Sequence, residues 1–145
     1  MVEKGHRKVI LIDNSSEYRR SLRSFLELYD YYVQEASGVR EAKTQLETAS
    51  VDLALVDLRL ARDDDANDFS GLEVAQFASQ HNVRCIVVSA FPSIQATRRA
   101  LRSRGIEAPL ALDFIPKATG PQAILDAIEI VLGQNDVPSK LHGEH

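Results

Sequence analysis

The sequence predicts an α/β fold, a doubly wound five-stranded parallel sheet with helices on both faces. Two observations carry this: short runs of aliphatic and β-branched residues recur five times along the 145 residues, and a segment with helical apolar spacing follows each of them. A third is that Val9 to Ile12, Leu53 to Val56 and Cys85 to Val88 are apolar without alternation, the pattern of strands covered on both sides.

Taken in order, the first run, Val9 to Ile12, leads into a stripe of Tyr18, Leu22, Phe25 and Leu26 with arginines between, an amphipathic helix. The second run, Tyr32 to Ala36, is more polar and suits a sheet edge; Val39, Ala42 and Leu46 mark the helix after it. Leu53 to Val56 precedes a helix carrying Val74, Phe77 and Ala78, with Ser70 and Glu73 at the spacing of a capping box. Cys85 to Val88 precedes a helix carrying Ile94, Thr97 and Leu101. Leu110 to Ile115 is the fifth strand, and Ile124, Ile128 and Val131 mark the fifth helix, with Pro121 in its first turn and Gly133 just past its last periodic residue. Strict alternation implies right-handed crossovers. Residues 1–133 are expected to form one domain and 134–145, which lack apolar periodicity, a tail or linker stub.

Composition narrows the function. Seventeen basic against 21 acidic residues leave a net charge of −4, too weak a field to recruit nucleic acid directly or to hold an anionic membrane. No apolar run approaches the roughly 20 residues of a bilayer span, and no cleavable leader stands before the first strand, so a cytoplasmic protein is expected. Cys85 lies within an apolar run and reads as a small buried hydrophobe. The four histidines have no ligand spacing and none is assigned to metal. The basic run Arg98, Arg99, Arg102 and Arg104 reads first as a solvated helix face.

Ligands of open α/β sheets bind beyond the carboxyl ends of the strands. There the sequence collects Asp13 and Asn14 after the first run, Asp57 after the third, Ser89 after the fourth and Lys117 after the fifth. These are the parts of a Mg²⁺-assisted phosphoryl site. Asp57 can attack phosphorus and form an acyl phosphate; a hard cation on Asp13 and Asp57 screens the repulsion; Ser89 and Lys117 hold phosphoryl oxygens by hydrogen bond and charge. Each residue also has a plainer reading: Asn14 and Glu17 stand at capping-pair spacing, Ser89 ends a strand, and Lys117 sits in a loop.

The motifs LIDN, LVDLRL, VVSAF and FIPK, in that order on those elements, resemble the receiver domain of two-component response regulators over residues Lys8 to about Gly133. The resemblance implies a flavodoxin-like sheet of order 2-1-3-4-5, Asp57 as phosphoacceptor, and a sensor histidine kinase or phosphotransfer protein as donor. It also implies Mg²⁺ held by Asp13, Asn14, Asp57 and the backbone carbonyl of Arg59, with Ser89 and Lys117 binding the phosphoryl group. Ser89 and Phe114 become the switch, altering the face formed by the fourth helix, fifth strand and fifth helix for a downstream protein target, an output domain or a second copy. Such a domain is a signalling acceptor and not an enzyme. Arg59 stands where an aspartyl-phosphate phosphatase needs a general acid.

The chain departs from that pattern in three places. Asn14 offers a neutral amide where the family has a second acid. Ala118 follows Lys117 where the family has proline, which removes the expectation of a cis bond. The loop after Asp57 is longer than usual and holds Asp63, Asp64, Asp65 and Asp68, one of which is a candidate replacement ligand. These departures support a competing reading, a pseudo-receiver that docks or dimerises without phosphorylation.

Overall fold

The computed structural model describes residues 7–62, 65, 68–90, 97, 98, 111 and 113–133. Its elements run β1 (Lys8–Ile12), α1 (Ser16–Glu27), β2 (Tyr32–Ala36), α2 (Val39–Thr48), β3 (Leu53–Asp57), α3 (Ser70–Gln80), β4 (Arg84–Ser89), β5 (Asp113–Pro116), a 3₁₀ turn at Lys117–Thr119 and a last helix, Pro121–Gly133. All strand pairs are parallel, in the order β2-β1-β3-β4-β5. That is the predicted sheet, and β2, the more polar run, lies at an edge.

Side-chain alternation divides the core into two layers. Val9 and Leu11 of β1, Leu53 and Leu55 of β3, and Ile86 and Val88 of β4 pack with Leu22 and Leu26 of α1 and with Ile124 and Ile128 of the last helix. Their neighbours Ile10, Ile12, Ala54, Val56, Cys85 and Val87 pack on the other side with Ala42 and Leu46 of α2 and Val74 and Ala78 of α3. Both faces of the central strands are therefore dry, which is why these runs show no polar alternation. Fully burying each large aliphatic side chain contributes about 1.5–3 kcal/mol. Cys85 is part of this core, and burial pushes its thiol up to about 12, so it stays a protonated hydrophobe. No helix among the described residues is long and apolar enough to cross a membrane.

Local details differ from the sequence reading. The fifth strand begins at Asp113, because its ladder with β4 starts at the Ile86–Asp113 pair; Ala111 is buried outside the strand, and Leu110 lies outside the described residues. The cap of α1 is Ser15, whose hydroxyl accepts the Tyr18 amide at 3.1 Å, and not Asn14, which is exposed. Ser70 and Glu73 form no capping box. Phe69 is the cap of α3, the Ser70 hydroxyl accepts the Ala61 amide at 3.0 Å, and Glu73 pairs with Lys43 at 2.6 Å. Gly133 is the last residue of its helix, one position earlier in role than expected. The predicted fourth helix lies outside the described residues apart from helical Thr97 and Arg98, as does most of the basic run.

Candidate functional site

Parallel strands end on one rim, and the sheet order puts β1, β3 and β4 side by side at its centre. Asp57 is the last residue of β3 and Ser89 the last of β4, while Asp13 follows β1 directly. These three are the buried polar residues among those described, at 4% exposure for Asp13, 5% for Asp57 and 1% for Ser89. Polar groups withdrawn from water in this way need partners.

Lys117, which opens the 3₁₀ turn after β5, reaches back across the rim. Its ammonium donates to Asp13 Oδ2 at 2.7 Å and stands 3.9 Å from Asp57 Oδ2. Asp13 Oδ1 accepts the Ser15 amide at 2.9 Å, its own amide donates to the Ala36 carbonyl at 3.1 Å, and its carbonyl accepts Arg19 Nη1 at 2.5 Å. Arg19 Nε in turn pairs with Glu35 at 2.8 Å, so its charge is answered from β2. The Tyr18 ring lies under the Lys117 ammonium, 4.0 Å from Nζ to ring centroid. Burial first, and then the negative fields of Asp13 and Asp57, raise the Tyr18 phenol well above its ordinary value and keep it protonated.

The structure thus brings Asp13, Asp57 and Lys117 together and sets Ser89 at the neighbouring strand end. Asn14 is exposed beside Asp13, Arg59 is half-buried two residues after Asp57, and Phe114 is half-buried in β5 against the core layer that contains Val87. No cis peptide bond occurs among the described residues. Both carboxylate oxygens of Asp68 are engaged by backbone: Oδ1 accepts the Ser70 amide at 2.7 Å and Oδ2 accepts the Arg62 amide. Of the other loop aspartates, Asp65 donates its amide to the Arg62 carbonyl at 3.1 Å, and Asp63 and Asp64 lie outside the described residues.

Gly71 is a site residue that sequence reasoning missed. A Cβ at this position would lie 2.1 Å from the Asp57 carbonyl oxygen, so α3 can begin against the end of β3 only with glycine there. The Gly71 amide also donates to the Leu58 carbonyl at 2.9 Å. The available signal was a glycine directly ahead of the apolar stripe of α3.

Among Asp13, Asp57 and Lys117 two negative charges face one positive charge, and this set fits a hard divalent cation. Among the described residues no three acidic, histidine or cysteine side chains cluster around one point, so such an ion would draw its remaining ligands from backbone oxygen, water or a phosphate, as Mg²⁺ commonly does.

Residues 9–129 match the family model described as the response regulator receiver domain. Among curated proteins, the regulatory protein VirG of Rhizobium rhizogenes is 27% identical over 86% of this chain and 47% of its own length, and the transcriptional regulatory protein ResD of Bacillus subtilis 26% identical over 91% and 50%. The chain therefore spans about half the length of these relatives. Among solved structures, a CheY-like receiver protein from Methanospirillum hungatei superimposes with a TM-score of 0.76 at 22% identity, covering 91% of this chain and 98% of that one. A response regulator from Burkholderia pseudomallei, solved with a phosphorylated aspartic acid, calcium ion and citrate, gives 0.72 at 22% identity over 94% and 75%.

Proposed function

Because the chain belongs to the response regulator receiver family of two-component signalling, we propose that residues 1–133 act as a phosphoryl-accepting switch with Asp57 as acceptor. The observation that carries the reading is the Lys117 ammonium set 2.7 Å from Asp13 and 3.9 Å from Asp57 on one buried rim. An Asp57 oxygen attacks phosphorus in line, the bond from phosphorus to the donor's histidine nitrogen breaks, and an acyl phosphate forms. The donor is a sensor histidine kinase or a phosphotransfer protein.

Asp13 and Asp57, with the Arg59 carbonyl and Asn14 nearby, would hold Mg²⁺. When bound, the ion screens the repulsion between carboxylate and phosphoryl oxygens. Lys117 leaves Asp13 for a phosphoryl oxygen, and the Ser89 hydroxyl donates to another. Movement of Ser89 and repacking of Phe114 then shift the balance between two packings of the β5 side, which changes affinity for a downstream protein, an output domain or a second copy. A cytoplasmic setting, without direct contact to nucleic acid or membrane, accords with the net charge of −4.

Acetyl phosphate with Mg²⁺, read by intact mass, is expected to add one phosphoryl group to the native protein and none to Asp57→Asn; chelation of the metal should suppress it. Native protein that stays unmodified would overturn this reading in favour of a phosphorylation-independent docking module, which the neutral Asn14 favours.

A further inference from the structure

Tyr18 lies in the first turn of α1 and takes no part in the acceptor chemistry above. Its ring face meets the Lys117 ammonium at 4.0 Å, within the range of a cation–π contact. The same Nζ lies 2.7 Å from Asp13 Oδ2. Lys117 is therefore held between a carboxylate on one side and a π face on another. The ring itself is fixed from below: the Ser15 hydroxyl caps the Tyr18 amide at 3.1 Å, and the side chain packs on the core layer of Leu22 and Leu26. The phenol oxygen is buried and has no hydrogen-bond partner among the described residues. What couples Tyr18 to the rim is thus its ring and not its hydroxyl.

We propose that Tyr18 is the positioning residue for Lys117, an aromatic seat on which the ammonium rests while it serves Asp13 in one state and a phosphoryl group on Asp57 in the other. The proposal rests on the acceptor reading given above. A lysine carries its charge on four flexible methylenes, and a single carboxylate partner fixes it only while that bond lasts. A ring face attracts a cation across a broad area without demanding one hydrogen-bond direction. To gain a normal hydrogen-bond length on the Asp57 side from 3.9 Å, Nζ needs to move by only about 1 Å. That displacement keeps it over the ring, so the seat survives the exchange of partners and reduces the freedom the lysine would otherwise regain.

The test uses the full chain with Tyr18→Phe, which keeps the seat, and Tyr18→Leu, which removes it; Tyr18→Met replaces the latter if the leucine variant does not fold. Two readouts are taken: the NMR shift of the Lys117 ε-methylene protons, which a ring face moves upfield, and the rate of phosphoryl uptake from acetyl phosphate with Mg²⁺. The upfield shift is expected in native protein and Tyr18→Phe and absent in Tyr18→Leu. Uptake should fall roughly two- to thirtyfold in Tyr18→Leu, the range one cation–π contact supplies, with Tyr18→Phe within about twofold of native. A structural role alone would leave uptake of the folded leucine variant at the native rate. That result, an unshifted Lys117 in native protein, or a phenylalanine variant as slow as leucine, would overturn the proposal. Native protein that takes no phosphoryl group would end the acceptor reading and the exchange with it, while the Lys117 shift still decides whether the seat exists.

Discussion

Where β1 passes into α1, Asp13 Oδ1 accepts the amide of Ser15 at 2.9 Å; where β3 passes into α3, Asp68 Oδ1 accepts the amide of Ser70 at 2.7 Å. Both serine hydroxyls then accept a backbone amide, Ser15 from Tyr18 and Ser70 from Ala61. The local device is similar, an aspartate and a serine two residues apart at the entry to a helix. The second carboxylate oxygen separates them. In Asp68 it is taken by a backbone amide, that of Arg62; in Asp13 it is taken by the end of a lysine side chain. A backbone amide in a closed loop cannot leave without opening the loop, whereas an ammonium can swing away. Asp68 is bound on both oxygens by backbone, while one oxygen of Asp13 faces a side chain that is free to rotate.

The harshest way to break the comparison is at Gly71, which ties the second passage to the backbone of Asp57. Gly71→Ala puts a methyl against the Asp57 carbonyl and is expected to destabilise by about 3 kcal/mol or more, seen as a lower urea midpoint, with phosphoryl uptake lost alongside. Asp68→Ala should lower stability by about 1–2 kcal/mol, since two backbone amides lose a charged acceptor, while uptake by the folded protein stays near native. Asp13→Asn should behave in the opposite way. It relieves one of two carboxylates crowded around one ammonium, so the stability read from urea unfolding stays within about 1 kcal/mol of native or rises. Mg²⁺ is expected to raise the melting temperature of native protein and to leave that of Asp13→Asn unchanged.

The smallest effect is that of acid. Hydrogen bonds from Arg23 and Arg19 hold the Glu35 carboxyl below its ordinary 4.5, despite some opposing burial. At Asp68 burial works to raise the value, but the bonds from Ser70, Arg62 and Ala61 outweigh it and hold the carboxyl below 3.8. Both groups have depressed folded values, so their stabilisation is complete above the ordinary values and is lost as pH falls through the folded ones. Urea midpoints measured from about pH 5 down to about pH 3 should therefore decline, and Asp68→Ala should decline less steeply over that interval.

The sheet was legible because its central strands are dry on both faces: only apolar residues occupy Val9 to Ile12 and Cys85 to Val88. Asp13, Asp57, Ser89 and Lys117 were legible as the first polar residues after such runs. The pairing of Lys117 with Asp13 was not, since it joins residues 104 positions apart and depends on how far a side chain reaches. Asn14 and Ser15 are both good caps in adjacent positions, and only the backbone entry angle chooses between them. Tyr18 belonged to the apolar stripe of α1 and packs, partly buried, against the core layer, while the cation above it comes from another element. Asp68 belonged to an acidic run whose composition says nothing about which carboxylate turns inward.

The stitches between Leu58 and Gly71, Ala61 and Ser70, and Arg62 and Asp68 bring the two ends of that segment together before its middle is reached. Its span is consequently uncoupled from the geometry at Asp57: doubling the intervening chain adds only about 0.6 kcal/mol of closure entropy. Asp57 can keep its surroundings whatever the length of the segment, and an epitope or fluorophore could be carried there without disturbing the rim.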